Sequence, residues 1–255
     1  MPIRIKVPYS EKDIAKSKGA FWDKEEKTWF IPDHKDIDCF IQWIDQDQIS
    51  IIVKTPFYIA LNTKTCYKCA EITPVIALAA EQFYFLDHED NDDGDDIEEW
   101  AFSDDFSFFS MPSYLNNEIA SLLKEKYPHY KLGYSRTAGD KYWANHCIHC
   151  GALQGDFYMH SEPGGEFCPV DIEDCQRLTL ISVATKFDIE ISAGTSWSSN
   201  SSDILHYAKR IDKKGTEKAN NTSQAPPASL QNPSPNKKSS NWMTIILKSL
   251  FKGGK

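Results

Sequence analysis

Cys66-Tyr67-Lys68-Cys69 and Cys147-Ile148-His149-Cys150-Gly151 are the two stretches that decide how this chain folds. A C-x2-C pair sets two thiolates on one tight turn, with both sulfurs facing a common centre. Two pairs complete a tetrahedral shell, so Cys66, Cys69, Cys147 and Cys150 are expected to hold a structural Zn²⁺. Gly151 lacks a Cβ and can take the positive φ that closes such a turn with N–H groups aimed at sulfur. A lone C-x2-C is also the signature of a redox pair, and two pairs could form disulfides. Two pairs among only seven cysteines favour metal. Between Cys69 and Cys147 lie 77 residues, where a compact ribbon needs about 15–20. The intervening chain is therefore an insertion that folds and returns to the metal. Cys39, Cys168 and Cys175 read as inert thiols, and His146 and His149 as surface residues of the second turn, with ligation or donation to sulfur as the alternative.

The chain has 255 residues, 41% hydrophobic and 13% aromatic, enough for one large or two small cores. Met1-Pro-Ile-Arg-Ile-Lys-Val lacks the apolar run of a secretory signal, and no stretch is long and apolar enough to span a bilayer. Seven cysteines with a thiolate–zinc pattern fit the cytoplasm. The net charge of −9 is unevenly spread: −2 over residues 1–47, −15 over 48–208 and +8 over 209–255. An acidic body argues against gripping phosphate over a wide face, while the basic tail leaves nucleic acid, a membrane surface or the body itself as its contact.

Residues 1–47 read as a self-contained αβ module. Ile3, Ile5 and Val7 alternate as a strand, and Ser10-Glu-Lys-Asp13 has the capping-box pattern ahead of a short helix that Gly19 ends. Ala20–Asp23 and Thr28–Pro32 then form an aromatic hairpin, and 36–43 a closing helix. Residues 48–211 read as a β-rich domain built around the four-cysteine ribbon, giving an α+β chain overall. Within it, 87–105 carry eleven carboxylates and no Lys or Arg, and are expected to be a solvated acidic loop. Tyr114–Lys126 read as an amphipathic helix, and 155–160 as a strand leaving the second turn. Residues 212–240 are Pro-rich and polar, a linker, and 241–255 an amphipathic tail helix. Trp242, Ile246 and Leu250 share its apolar face and are the candidate anchors for a protein partner, in preference to a membrane surface.

Val7, Pro8, Tyr9, Glu11, Lys12, Ala15, Lys16, Gly19, Ala20, Trp22, Asp23, Lys27, Trp29, Phe30, Pro32, Phe40 and Trp43 carry a pattern. It resembles a small bacterial domain of unknown function found in plasmid and mobile-element proteins, including primase-like ones. More loosely, it resembles an accessory module of annealing helicases that binds forked DNA. The remainder resembles a zinc-ribbon-containing hypothetical protein. The resemblance implies a nucleic-acid setting and no catalytic residue. Trp22, Trp29 and Trp43 also read simply as the core of a tiny domain, which needs large aromatics to bury enough area.

No H-E-x-x-H, phosphate loop, dinucleotide glycine pattern or G-x-S-x-G occurs, and a four-cysteine shell leaves zinc no open position for water. The expected function is non-catalytic: a zinc-binding protein acting as a binding or adaptor module, with a nucleic-acid or mobile-element context. The alternatives are a protein–protein adaptor with no nucleic-acid role, or a thiol- or zinc-dependent enzyme. A small-molecule substrate is not indicated.

Overall fold

The computed structural model describes residues 2–33, 35–54, 56–90, 96–196 and 201–211. The first elements are β1 (Ile3–Ile5), a 3-10 turn at Tyr9–Glu11, α1 (Lys12–Lys18), β2 (Phe21–Asp23), β3 (Thr28–Ile31) and a 3-10 helix at Ile37–Trp43. The larger part of the chain adds β4 (Ile51–Val53), β5 (Phe57–Thr65), β6 (Ile72–Ala80), β7 (Phe83–Asp90), β8 (Asp96–Ser103) and β9 (Ser107–Leu115). It continues with α2 (Asn117–Lys126), β10 (Tyr130–Ser135), β11 (Asp140–His146), β12 (Leu153–Gln154), α3 (Asp156–His160) and α4 (Ile172–Arg177). The last described elements are β13 (Thr179–Val183), β14 (Ile189–Ser196), α5 (Ser201–Tyr207) and β15 (Lys209–Ile211).

Nine strands form one sheet in the order β15-β13-β5-β6-β9-β14-β4-β7-β8. Every pairing in it is antiparallel except β13 with β15. Period-two alternation gives the sheet two apolar faces. One face carries Ile51, Val53, Ile59, Leu78, Phe83, Phe109 and Ile191, covered by Ile119 and Leu123 of α2 and by Tyr130 and Trp143 of the small sheet β10-β11-β12. At one end of the opposite face, Tyr58, Ala77, Phe108 and Leu180 pack under Met159, Cys175 and Ile204 from the three later helices.

The other end of that face is covered by the N-terminal module. Ile3, Ile5, Trp29, Phe40 and Trp43 share one cluster with Ile52 and Trp100 of the large sheet. The module is therefore not self-contained as expected. Its inner face is completed by β4 and β8, and Pro2 O accepts from Asp188 N at 3.0 Å. Lys54 pairs with both Asp33 and the buried Asp188 across the seam, and Arg4 lies 4.4 Å over the Phe187 ring.

Several local expectations are corrected. The acidic stretch is not all loop: among its described residues, 87–90 and 96–103 form the arms of the β7–β8 hairpin, with Asp87 opposite Glu99 and Leu86 opposite Trp100. Phe83 and Trp100 at the hairpin base are buried, and the Tyr84 and Phe102 rings meet at a tilt with centroids 5.1 Å apart, so apolar burial at the root overrides like charge on the arms. The α2 helix begins at Asn117, because Asn116 caps it by accepting from Ile119 N, while Tyr114 and Leu115 finish β9. Residues 156–160 are a helix, which turns Asp156, Met159 and His160 inward together and leaves Phe157 and Tyr158 outside. No capping box forms at Ser10. The Ncap residue of α1 is Glu11, whose carboxylate accepts from Trp43 Nε1 at 2.6 Å. The core of 48–211 is the nine-stranded sheet rather than the cysteine ribbon. The linker 212–240 and the tail 241–255, with Trp242, Ile246 and Leu250, lie outside the described residues.

Candidate metal centre

The four cysteines sit on the tips of two hairpins. Cys66 and Cys69 lie in the β5–β6 turn, and Cys147 and Cys150 in the β11–β12 turn. The two turns repeat one geometry. Ala70 N donates to Cys66 O and Cys66 N to Glu71 O; Gly151 N donates to Cys147 O and Cys147 N to Ala152 O, all at 2.9 Å. Positive φ closes each turn, at 61° for Ala70 and 70° for Gly151.

All four sulfurs lie within 4.8 Å of one another. Cys66 Sγ to Cys150 Sγ and Cys69 Sγ to Cys147 Sγ are each 3.7 Å. A tetrahedron with Zn–S near 2.3 Å requires sulfurs about 3.8 Å apart, so the spacing suits a four-coordinate metal. It is well beyond the length of about 2.05 Å of a disulfide bond. Lys68 N and His149 N donate to Cys66 and Cys147 sulfur, both at 3.4 Å, as does the Gln154 side chain to Cys66 at 3.4 Å. Desolvation disfavours a thiolate at Cys66, but the backbone N–H groups of Cys69 and Lys68, together with the Cys147 and Cys69 thiols, outweigh it and draw the thiol down to about 6. At Cys69 a Glu71 N–H favours the thiolate, yet burial and the neighbouring sulfurs prevail and push it up to about 12. Four thiolates this close need a cation to be charged together.

Other side chains lock the two tips, and of these Asn145 and Thr73 carry no local sequence signal. Asn145 on β11 mimics a strand partner: its Oδ1 accepts from Ile76 N at 2.8 Å and its Nδ2 donates to Ile76 O at 2.9 Å. Thr73 Oγ1 accepts from Ile148 N at 3.1 Å. His149 engages Ile72 O through Nε2 at 3.0 Å, and His146 lies 2.9 Å from Ala144 O through Nδ1, so both expected non-ligand histidines bond to backbone. Among the described residues the cluster that could hold a metal ion contains the four expected cysteines and not Cys39, Cys168 or Cys175.

Similarity to known proteins covers a short part of this chain. A family described as a domain of unknown function, DUF5710, matches residues 3–45. The DNA primase TraC of Escherichia coli is 49% identical to this chain over 39 residues, which cover 15% of this chain and 3% of that protein. No solved structure matches.

Proposed function

We propose that this chain is a non-catalytic binding protein, held together by one structural zinc, that works on nucleic acid in a mobile-element setting. The observation that carries the reading is the match of 39 residues of this chain to a DNA primase at 49% identity. The chain spans about 3% of that relative, so what is carried over is a nucleic-acid context and no primase chemistry. The centre supports a structural role: four closely spaced sulfurs would saturate a bound metal and leave no position for an activated water.

Two measurements test the reading. Metal analysis of the purified protein is expected to find about one Zn²⁺ per chain, and Cys147→Ser to lower both zinc content and thermal stability. Full metal retention in that variant would remove the centre. A gel shift titrated with salt is expected to show binding that weakens as salt rises. Absence of any shift would favour the protein–protein adaptor, for which the exposed Tyr67, Ile72 and Ile148 around the two tips are the supporting observation.

A further inference from the structure

We propose that the outer face of the N-terminal module binds single-stranded nucleic acid, with Tyr9 and Trp22 as base-stacking platforms and Lys12 and Lys16 as phosphate contacts. The proposal rests on the nucleic-acid reading above and assigns it a site. Burial divides the module's tryptophans. Trp29 and Trp43 are 9% and 3% exposed and account for the core, whereas Trp22 is 46% exposed and Tyr9 83%. The need of a small domain for buried aromatics explains the first pair and not the second.

The exposed rings and the lysines form a connected line. Lys12 Nζ lies 3.9 Å from the Tyr9 ring centroid. Lys16 follows one helical turn later on α1 and stands 6.0 Å from the Trp29 ring, which meets Trp22 edge-on at 5.6 Å. The order is ring, cation, cation, ring. Buried Ala15 marks the inward side of α1 and sets Lys12 and Lys16 on one flank.

The module's carboxylates are largely engaged elsewhere. Asp23, Glu25 and Glu26 surround Lys186 at 3.0, 3.8 and 3.3 Å. Asp33 pairs with Lys54, Asp45 with Lys6, and Glu11 with the Trp43 indole. Asp13 remains on α1, at 3.9 Å from Lys16. A module of net charge −2 thus turns cations and rings outward on this flank. Two rings can stack only on bases whose faces are free, which a duplex hides. Two lysines beside a body of net charge −15 cannot hold a long duplex backbone, so stacking must supply most of the affinity.

The test uses the full chain and a labelled oligothymidylate of about 12 nucleotides, followed by anisotropy and tryptophan emission. Binding is expected with quenched emission, and with weaker binding to a duplex of equal length. Tyr9→Ala and Trp22→Ala should each weaken it about tenfold, and Trp22→Phe should restore most of the loss. Lys12→Gln and Lys16→Gln should each lower the salt slope by about 0.7. Thermal unfolding of each variant separates a lost contact from a lost fold. If wild type binds and the two Ala and two Gln variants bind equally well, this surface is wrong while the general reading stands. A preference for duplex also overturns the proposal. If wild type binds neither form, the proposal and the nucleic-acid reading fall together.

Discussion

Ala70 and Gly151 occupy equivalent positions in two copies of one turn, yet only the second is a residue suited to it. At a φ of 61° the Cβ of Ala70 meets backbone oxygen, a strain of roughly 1 kcal/mol that glycine avoids. Ala70→Gly is expected to raise stability by up to about 0.5–1 kcal/mol, less the extra entropy glycine gives the unfolded chain, read as a rise in melting temperature with zinc content unchanged. Asp156 offers a second test. It is 2% exposed, its Oδ2 accepts from Met111 N at 2.7 Å, and its Oδ1 has no hydrogen-bond partner among the described residues. Burial pushes its carboxyl up to about 7, although the Met111 N–H and Lys64 favour the anion. A raised carboxyl holds its proton in the folded state after the unfolded chain has released its own. Its contribution is therefore complete below about pH 4 and is lost as pH rises toward 7. Asp156→Asn is expected to flatten that part of the stability–pH curve and to stabilise the protein at pH 8; an unchanged slope would place the titration elsewhere.

The β7–β8 hairpin shows how burial at the base of an element can outweigh charge on its arms. Trp100 is 9% exposed within the cluster shared by module and sheet. Its replacement by Ala is expected to cost about 3 kcal/mol, as large-to-small changes of a core aromatic do. Higher on the hairpin, exposed Asp87 and Glu99 face each other across the strands. Like charges so placed repel, and Glu99→Lys converts the pair into an attractive one worth roughly 0.2–1 kcal/mol. Chemical denaturation should show a higher midpoint for that variant at low salt, with the gain shrinking as salt is added. The helix α3 teaches a related lesson. Asp-Phe-Tyr-Met-His alternates well enough for a strand, but only a helix buries Met159 and His160 together beneath Phe108 and Phe167.

For the whole molecule the decisive feature is the shared core between residues 1–47 and the large sheet. Ile52, Trp100 and the partly buried Tyr84, Leu86 and Tyr114 close the module from below. A chain beginning at residue 48 would expose that face, so it is expected to show a lowered melting temperature and to aggregate. Residues 1–47 alone are expected to give weak, non-cooperative unfolding. A sharp transition of the isolated module, with the remainder unaffected, would show that the seam contributes little. Glu190 lies within the same seam, where burial raises its carboxyl to about 7 against the pull of Arg4 and Lys6. Loss of its proton therefore adds to the same fall in stability as pH rises from about 4 to 7.

Local sequence picks out the four cysteines that the fold brings together, because a C-x2-C turn is a local device whose chemistry needs only four residues. It also determined the elements of the module, where β1, α1 with Gly19 as its cap, and the aromatic hairpin follow from period and turn residues over a few positions. Distance is what hid the rest. Asn145 and Ile76 are 69 residues apart, and nothing in either segment announces that an amide will stand in for a strand. The ladder of the nine-stranded sheet runs β14 beside both β9 and β4, pairings that local alternation cannot select. The acidic hairpin is not legible in the sequence because charge counts are summed along the chain, whereas burial of Phe83 and Trp100 is decided by which elements lie against them. The same holds for the aromatic residues of the module. Sequence shows that they are present, and only the tertiary structure separates Trp29 and Trp43, which are buried where module and sheet meet, from Tyr9 and Trp22, which are left in water.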